Sequence, residues 1–432
     1  MKTLTTLLLA LFFSAGTLFA QSNSSDVDQQ GDDNSAEIGQ AGELNLTSLA
    51  QSDGSDAVIT QTGDENESYL EQSNEAEALI TQTGNSNLVR GVLAVYANSQ
   101  SSSLTVNHTG DGNELEAMQM YGGGNAIVAE QSGNGSLGTL LQYGSDNSMD
   151  LLQSGSDNHM MTQAGNDNNA QARAFAGQNE GDLVQVGDAN HIQLNQSGGF
   201  SATMIQIGDD HNARVRQAGG SGSFAVTLQT GEHQSLGADQ QGSGNTLVVS
   251  QTGENNSAGS DWWGNPGIIQ DGDGNIGILT QNGSGNEAYL SQVGDGNYGL
   301  MNVNGSDHTS VIVQEGDNHN IQFTIEGIEN TVDIRQFGTS EHTVGFDGDL
   351  ISTVKQNGDY NEFYSVQVGD EGGHLITTAD GSGYLQNGDN NFMNVMQSGD
   401  SNSAFLNQFG DGNSMGVIQD GASNSATITQ TP

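Results

Sequence analysis

The stretch QFGDGNSMGVIQDGASNSATITQ, residues 408–430, contains one short phrase written twice. Gln408, Gln419 and Gln430 are equally spaced, and each of the first two is followed two residues later by Gly and five residues later by Asn. Equal spacing of side chains that both donate and accept hydrogen bonds suggests that successive copies contact one another. If the period continues through the chain, it decides the fold.

The same phrase recurs along almost the whole chain. Successive copies of QxGxxN are usually 11 residues apart, with occasional steps of 10 and 12. A short period kept over a long chain is typical of a solenoid, in which each repeat packs on its neighbours, and not of a globule. Complete copies begin at Gln29, Gln40, Gln61, Gln82, Gln142, Gln153, Gln163, Gln185, Gln240, Gln251, Gln270, Gln281, Gln292, Gln356, Gln386, Gln397, Gln408 and Gln419.

Each copy contains an alternation that predicts a β-strand. Every second residue is Asn, then small or apolar, then apolar, then Gln, as in Asn286, Ala288, Leu290 and Gln292. A period of two places these residues on one face of a strand of about five to seven residues. The Gly that follows, Gly294 in this copy, predicts a tight turn, because a sharp reversal uses positive φ.

Two strand-turn units predict one coil, in which each residue lies about 4.8 Å from its counterpart in the coil before. Gln then stacks on Gln and Asn on Asn, and each side-chain amide donates and accepts one hydrogen bond along the stack. The phrase repeats because an unpaired buried amide costs roughly 1 to 3 kcal/mol. The sequence therefore predicts an all-β fold: a β-solenoid of about 18 two-strand coils built from 11-residue strand-turn units, with two parallel in-register sheets.

The predicted structural ladder consists of the Gln, Gly and Asn of the best-kept copies. The Gln and Asn supply the paired amides, and the Gly supply the turns. Unpaired strand edges at both ends of such a stack are templates for another chain. The ladder residues are Gln270, Gly272, Asn275, Gln281, Gly283, Asn286, Gln292, Gly294, Asn297, Gln397, Gly399, Asn402, Gln408, Gly410, Asn413, Gln419, Gly421 and Asn424.

The chain divides into a short leader and a long repeat region. Residues 1–20, MKTLTTLLLALFFSAGTLFA, combine Lys2, an apolar run and a small-residue end, which predicts a secretory signal peptide cleaved after Ala20. Residues 21–28 form a short mature N-terminal segment, and residues 29–432 form the repeat solenoid. No second apolar run is long enough to span a bilayer, so no membrane insertion is expected.

Two zones depart from the repeat. Residues 88–107 keep the strand alternation but lose the Gln and Gly of the QxGxxN phrase, which predicts an aberrant coil. Residues 257–269 form a loop insertion, the longest interruption, and contain Trp262 and Trp263. These flat rings could make a surface contact with a sugar or a neighbouring fibril, although an insertion that packs on the side of the solenoid is the favoured interpretation.

Composition and charge limit the possible partners. The chain has 53 acidic and 7 basic residues and a formal net charge of −46, which excludes electrostatic attraction to nucleic acid or anionic lipid. It contains no cysteine, so no disulfide stabilises it. Many turns carry Asp after the Gly, as at Asp273, Asp295 and Asp411. Weak binding of divalent cations at these stacked turns is one interpretation, and a plain turn-forming role is the favoured one.

Motifs that resemble catalytic or metal sites belong to the repeat. Residues 412–416 spell GxSxG, but a hydrolase needs a strand-to-helix turn with a partner His and acid. His211, His308 and His319 occupy the Asn position of degraded copies and His108 a Gln position, so a structural role is favoured over metal binding. The sequence therefore predicts no catalytic residue, no metal site and no cofactor.

Two copies carry a resemblance to a known family. QNGSGNEAYLSQ, residues 281–292, and QSGDSNSAFLNQ, residues 397–408, resemble the repeat of the curlin family, the subunits of bacterial curli fibres, and the likeness covers about residues 29–430. The resemblance implies a secreted functional amyloid whose solenoids stack end to end into extracellular, cell-surface fibres of the biofilm matrix. It also implies export through the periplasm and an outer-membrane pore, with a nucleator subunit as partner.

The chain departs from typical curlins in three respects. It has several times their repeat count, it is far more acidic, and QSNSSDVD at residues 21–28 stands where curlins have a Gly-rich segment that directs them to their pore. The alternative function is a soluble secreted β-solenoid adhesin, or a protein that binds ice or polysaccharide with one flat face. Ice binding favours a regular outward array of Thr, whereas the outward positions here are mixed.

Overall fold

A computed structural model of the 432-residue chain describes residues 22–94, 102–259, 267–338, 342–344, 354–369, 373–377 and 384–431. The regular elements in these residues are β-strands. No helix in the described part of the chain is long and apolar enough to cross a membrane. The predicted signal peptide and both predicted contact residues, Trp262 and Trp263, lie outside the described residues.

The chain forms two compact units, Met1–Ser145 and Asp146–Pro432. The strands of the first unit are β1 (Ser24–Gln30), β2 (Ser35–Ala41), β3 (Leu46–Ser52), β4 (Asp56–Thr62), β5 (Glu67–Ser73), β6 (Glu77–Thr83), β7 (Leu88–Ala94), β8 (Ser103–Thr109), β9 (Glu114–Met120), β10 (Ala126–Ser132) and β11 (Leu137–Tyr143).

The second unit begins with four seven-residue strands, continues with strands of more varied length and ends with well-kept copies of the repeat. Its strands are β12 (Ser148–Ser154), β13 (Asn158–Ala164), β14 (Asn169–Phe175), β15 (Glu180–Val186), β16 (His191–Asp209), β17 (Asn212–Glu232), β18 (Ser235–Gln241), β19 (Thr246–Glu254), β20 (Ser257–Ala258), β21 (Ile268–Asp271), β22 (Ile276–Ser284), β23 (Glu287–Val293), β24 (Tyr298–Ser306), β25 (Thr309–Gly316), β26 (Asn320–Ile328), β27 (Thr331–Gly338), β28 (Thr343–Val344), β29 (Val354–Asn357), β30 (Glu362–Val368), β31 (Leu375–Thr377), β32 (Tyr384–Asn387), β33 (Phe392–Asp400), β34 (Ser403–Phe409), β35 (Ser414–Ala422) and β36 (Ser425–Gln430).

Within each unit most strands pair in parallel with the strand two places away in the sequence. In the first unit β3 pairs with β1 and β5, and in the second β25 pairs with β23 and β27. Consecutive strands therefore lie in different sheets, and two strands make one turn of the solenoid. The described strands make about 17 turns, which confirms the predicted β-solenoid with two parallel, in-register sheets.

Some elements depart from one strand per half-turn. β16 continues through a turn, so that its first half pairs with β14 and its second half with β15. β17 also continues through a turn, and its first half pairs with β18 and its second half with β19. In contrast, β20 and β21 together complete one strand, since both pair with β18. The described ends of the predicted insertion at residues 257–269 therefore belong to strands, Ser257–Ala258 to β20 and residues 268–269 to β21, while residues 260–266 lie outside the described residues. Such insertions use chain length, which accounts for slightly fewer turns than the repeat spacing predicts.

The irregular zone at residues 88–107 keeps its place in the two sheets. β7 pairs with β5 and β9, and β8 pairs with β6 and β10. The side chain at the Gln position is what changes, because Leu93 occupies it in β7 and His108 in β8. The described part of this coil is thus regular in its backbone pairing and aberrant in its missing amides, while residues 95–101 lie outside the described residues.

The repeat begins earlier than its QxGxxN phrase indicates. β1 starts at Ser24, inside the segment 21–28, and pairs in register with β3. Oδ1 of Asn23 accepts the backbone N–H of Asn45 at 2.9 Å, as the Asn of later copies does. Ala20 stands three residues before Asn23, where the phrase has Gly, so the phrase is incomplete there although the strand alternation is present.

The core between the two sheets is thin and half polar. A typical strand buries a small or apolar side chain, an apolar one and a Gln, as in Ala288, Leu290 and Gln292, which are 7%, 2% and 0% exposed. Fully burying a Leu contributes about 1.5 to 3 kcal/mol. A buried Gln stabilises the fold only if its amide is hydrogen-bonded. The stability of each turn therefore depends on what its amides contact.

Candidate functional site: the amide ladders and the open ends

The inward glutamines of successive turns form columns along each sheet. In the second unit, Nε2 of Gln270 donates to Oε1 of Gln292 at 2.8 Å, and Nε2 of Gln292 donates to Oε1 of Gln314 at 2.9 Å. This series, the first glutamine column, has no break between its two ends. Its members are Gln196, Gln217, Gln240, Gln270, Gln292, Gln314, Gln336, Gln367, Gln397 and Gln419.

The opposite sheet carries the second glutamine column, which is interrupted. After Gln281 the Gln position is taken by Val303 and then by Ile325, and the column resumes at Gln356. Its members are Gln163, Gln185, Gln206, Gln229, Gln251 and Gln281 before the interruption, and Gln356, Gln386, Gln408 and Gln430 after it.

The columns have a direction. In the described ladder bonds Nε2 of the earlier Gln donates to Oε1 of the later one, as from Gln29 to Gln51 at 2.9 Å. A column therefore starts with an Oε1 that lacks a ladder donor. Oε1 of Gln356, which follows Ile325, and Oε1 of Gln119 are both buried without a hydrogen-bond partner among the described residues. Each of these two interruptions thus leaves one unsatisfied side-chain carbonyl oxygen where the column resumes.

The second N–H of the glutamine amide reaches across the core. Nε2 of Gln292 also donates to the backbone carbonyl of Ile276 at 3.0 Å, and Nε2 of Gln251 donates to that of Ser235 at 3.0 Å. Each acceptor lies in the sheet opposite its Gln. A ladder glutamine thus uses one hydrogen to bind the next turn and the other to hold the two sheets together.

A gap before the first column is filled by a histidine. Ala174 occupies a Gln position between Gln153 and Gln196. The buried His159 bridges these two amides, with Nδ1 3.0 Å from Nε2 of Gln153 and Nε2 3.0 Å from Oε1 of Gln196. Burial lowers the pKa of His159, and a neutral ring protonated on Nε2 suits both amides. Gly181 pairs with His159 in the next turn, where an added Cβ would overlap the ring.

The asparagines act on the turns as well as on one another. Oδ1 of Asn275 accepts the backbone N–H of Asn297 at 2.9 Å, and Nδ2 of Asn275 donates to the carbonyl of Gly294 at 2.7 Å. Asn286 and Asn402 make the same bond to a turn glycine of the following coil. The Asn position therefore fixes where the chain reverses, which a simple stack of amides would not do.

The turn glycines adopt a conformation that other residues do not fit. Gly272 and Gly294 have φ values of 126° and 108°. A Cβ added to Gly272 would overlap the carbonyl oxygen of Gly294 in the next turn. Positive φ and this close approach of backbones both require Gly. Positive φ is also found at the other predicted turn glycines, Gly283, Gly399, Gly410 and Gly421.

Three histidines replace Asn in one column of the second unit. The rings of His319, His342 and His374 stack with centroids 4.9 and 4.7 Å apart. Nδ1 of His342 accepts the backbone N–H of His374 at 3.1 Å, and its Nε2 lies 2.9 Å from the carbonyl of Phe337, to which it donates. A neutral imidazole thus reproduces the acceptor and donor of Asn. Burial, with a contribution from the neighbouring rings, lowers the pKa of His342 to about 4.

The turn aspartates are bonded along the stack too. The backbone N–H of Asp273 donates to Oδ1 of Asp295 at 2.8 Å, and that of Asp295 donates to Oδ1 of Asp317 at 2.9 Å. In the first unit Asn85 fills the equivalent place, where its Oδ1 accepts the N–H of Asp64 at 2.9 Å. Within the described residues, no group of three or more His, Cys, Asp or Glu is arranged to hold a metal ion.

The end strands leave one edge open. In the last strand, β36, the inward Ala426 and Ile428 are only half-buried, whereas Ala404 and Leu406 in the neighbouring β34 are fully buried. In the described chain β36 pairs only with β34, and β35 only with β33. At the N-terminal end of the first unit, the seven residues of β1 are exposed. Among the described residues, both ends therefore present unpaired backbone groups and partly covered inward side chains.

The structure places the predicted ladder residues on these columns and turns. The predicted glutamines are divided between the first and second columns. In the last two turns, Nδ2 of Asn413 donates to Oδ1 of Asn391 at 3.0 Å, and the backbone N–H of Asn424 donates to Oδ1 of Asn402 at 2.9 Å. The repeat pattern carries no signal for the asparagine-to-glycine bonds, the histidine stack or the bridging His159, apart from single His residues at Asn positions.

A parallel β-solenoid with a Gln column in each sheet and open ends is a repeat protein of the cross-β type. The family described as "Curlin associated repeat" matches residues 267–294 and 388–421. These two matches confirm the resemblance to the curlin family that is seen in the sequence. That family is structural and not enzymatic, and its members are extracellular fibre subunits. The comparison with curated proteins gives no match.

Proposed function

We propose that this chain is a secreted structural subunit that self-assembles end to end into extracellular curli-like amyloid fibres for biofilm matrix and surface adhesion. The observation that carries the proposal is the pair of open ends. β35 and β36 at one end and β1 and β2 at the other follow the same strand plan, and the outer edge of each end has no partner strand in the described chain. A head-to-tail contact between such edges does not close on itself and so produces a filament.

The direction of the glutamine columns sets the orientation of that contact. The columns of the second unit end with a donor, Nε2 of Gln419 or Nε2 of Gln430. The ladder bonds of the first unit start with an acceptor, Oε1 of Gln29 or Oε1 of Gln40. Donors meet acceptors only if the last turn of one copy lies against the first turn of the next. The parallel register of both sheets then continues from copy to copy.

The proposed partners and location follow from the family and the leader sequence. The copies themselves form the fibre, and a nucleator subunit and the outer-membrane pore of a curli-type system are the proposed accessory partners. Fibre subunits of the family are extracellular, and the predicted signal peptide supports export through the periplasm. In this function the chain needs no catalytic residue and no cofactor.

Purified mature protein tests the proposal directly. We expect thioflavin-positive fibres with cross-β reflections at about 4.8 and 10 Å. A protein that remains a stable monomer under the same conditions would support the soluble adhesin instead.

A variant of the last turn tests the end-to-end contact. Ser425 corresponds in register to Ser403, whose backbone N–H donates to the carbonyl of Asn424 at 2.8 Å. By the same pattern the N–H of Ser425 points to the open edge. Ser425→Pro removes this donor, and Pro is tolerated at the first residue of a strand. The change removes one hydrogen bond to the next copy, and the proline ring also obstructs its approach. We therefore expect the rate of fibre growth to fall at least about tenfold, with the melting temperature of the monomer unchanged.

Ser403→Pro is the matched control, since it removes the equivalent bond inside the solenoid. It should lower the melting temperature, which Ser425→Pro should not. Fibres of Ser425→Pro that grow at the wild-type rate would contradict a contact through the last turn.

A further inference from the structure

Basic residues are rare in this chain, and three of the seven lie together. Arg173 is on β14, and Arg214 and Arg216 are on the first half of β17. The first half of β16 pairs with both strands and lies between them. The three arginines therefore lie on the first and third of three successive turns, on one face, where the alternation directs them outward.

The face around these arginines contains no acidic residue. The three strand segments are residues 169–175, 191–197 and 212–218, and none of them contains Asp or Glu. Their other outward side chains include Gln171 and Gln193, which are neutral amides. We name the outward side of these segments the arginine face. In a chain of net charge −46 it is a local region of positive charge.

The arginines have donors to spare. Arg173 lies 3.7 Å from Asp150 and Arg216 lies 3.0 Å from Asp239, and both acids are at the borders of the face. Arg214 has no acidic partner among the described residues, and it pairs in register with Gly237, which has no side chain to cover it. Because a guanidinium has five N–H donors, one border carboxylate leaves most of them available.

The chain also carries the complementary charge at a matching spacing. Asp209, Glu232 and Glu254 pair in register on three successive turns, and all three are exposed. We name these residues the acidic edge. Two steps along the stack separate Asp209 from Glu254, as they separate Arg173 from Arg216. Both sets repeat with the strand spacing of about 4.8 Å, so they can face each other without distortion.

We propose that the arginine face binds the acidic edge of a second copy of this chain, so that neighbouring fibres associate side by side. This contact is separate from the end-to-end contact of the proposed function, because it uses the sides of the turns. A single exposed ion pair contributes little. Each copy along a fibre adds the same contact, however, and contacts linked in this way strengthen one another. The association should weaken with salt, because exposed charges are screened.

The test compares variants of the face with a matched variant elsewhere. Arg173→Gln/Arg214→Gln/Arg216→Gln removes the charge of the face and keeps amide side chains like those around it. The control is Arg90→Gln/Arg335→Gln/Lys355→Gln, which changes the net charge equally. By electron microscopy at low salt, we expect laterally paired filaments to become about tenfold rarer in the first variant and to stay at the wild-type level in the control. The elongation rate should be the same in all three proteins.

A charge exchange identifies the occupant. Arg173→Glu/Arg214→Glu/Arg216→Glu and Asp209→Lys/Glu232→Lys/Glu254→Lys should each lose bundling alone, and mixed fibres of the two should regain it. Equal loss of bundling in the control, unchanged bundling in the face variants, or bundling that requires added anionic polysaccharide would overturn the proposal.

Failure of the proposed function can be distinguished from failure of this inference. If the chain forms no fibres, sedimentation of the monomer measures the same lateral contact. The wild-type protein should then associate as salt is lowered and the glutamine variant should not. A monomer whose sedimentation ignores both salt and the three arginines would refute the lateral contact independently of fibre growth.

Discussion

The two glutamine columns of the second unit differ in continuity. The first runs from Gln196 to Gln419 without a break. The second loses its amides for two turns, at Val303 and Ile325, and resumes at Gln356, whose Oε1 has no hydrogen-bond partner among the described residues. The backbone pairing continues in register through Val303 and Ile325. The difference therefore isolates the side-chain ladder from the backbone ladder.

The comparison shows how the chain limits the cost of an interruption. A Gln inside a column satisfies its neighbours on both sides, so its removal leaves a donor and an acceptor unpaired. Two adjacent apolar residues, Val303 and Ile325, cover each other and leave only the restart at Gln356 unsatisfied. Filling the gap, as His159 does beside Ala174, avoids even that. Interruptions are therefore tolerated when the chain groups them or bridges them.

The largest effect is expected from breaking a turn, because both columns depend on it. Gly294→Ala places a Cβ at φ 108° and against the carbonyl oxygen of Gly316. We expect a loss of about 4 kcal/mol in the free energy of unfolding, measured with denaturant. Gly416→Ala is the control, since a Cβ there meets nothing within 4 Å and the φ is ordinary. A loss in the control of similar size would show that the turn geometry is not the cause.

A smaller effect is expected from breaking the continuous column. Gln292→Leu leaves Nε2 of Gln270 without a ladder acceptor and Oε1 of Gln314 without a ladder donor. At roughly 1 to 3 kcal/mol for each unsatisfied buried group, we expect a destabilisation of about 3 kcal/mol. Gln281 lies at the edge of the interruption, so Gln281→Leu leaves only Nε2 of Gln251 without a ladder acceptor. This variant should lose about half as much free energy of unfolding. Equal losses would mean that column continuity contributes nothing.

In the histidine stack, imidazole rings interrupt a column of asparagines. Because these rings can be protonated, the stability of the fold should depend on pH. The pKa of His342 is about 4, below its ordinary value of 6.5, chiefly because the ring is buried. Between these values the unfolded chain binds more protons than the folded one. Stability should therefore be constant above about pH 6.5 and decrease as the pH falls towards 4.

His342→Asn removes this loss and restores the residue type found at Asn297 and Asn402 in the same column. We expect the denaturation midpoint of the variant to fall less between pH 7.5 and pH 5 than that of the wild type. His233→Asn is the control, because that side chain is half exposed beside Asp210. If wild type and His342→Asn lose stability in parallel, the stacked rings do not set the pH response.

The sequence is sufficient to predict the strands and their parallel register. It is insufficient to predict which groups the side-chain amides contact. The alternation around Asn286 and Gln292 predicts strands, and the 11-residue period predicts parallel stacking in register, and the structure confirms both. Periodicity cannot show that Asn275 binds the carbonyl of Gly294, because that bond joins different positions of successive repeats. It also cannot show that His159 fills the space beside Ala174, since the two lie in opposite sheets.

The smallest effect on stability and fibre growth is expected from neutralising the turn aspartates. Asn is the matched substitution, because it occupies the equivalent turn position in the first unit. Asp273→Asn/Asp295→Asn/Asp317→Asn keeps an oxygen that accepts the N–H of the preceding turn, as Asn85 does in the first unit. It removes like charges about 5 Å apart that repel by about 1 kcal/mol in water and less in salt. We expect a slight stabilisation and faster fibre growth at low salt.

The same variant tests whether the turns respond to divalent cations. If stacked carboxylates bind calcium weakly, calcium should accelerate wild-type growth more than sodium chloride of equal ionic strength, and the variant should lose that excess. Asp295→Ala removes both the charge and the hydrogen-bond acceptor, whereas the Asn variant removes only the charge. Comparison of the two separates these effects, and Asp295→Ala should slow fibre growth by weakening the turn. If calcium accelerates fibre growth equally in the wild type and the triple variant, the carboxylates do not bind it. Turn formation, which Asn also supports, would then be the role of these aspartates.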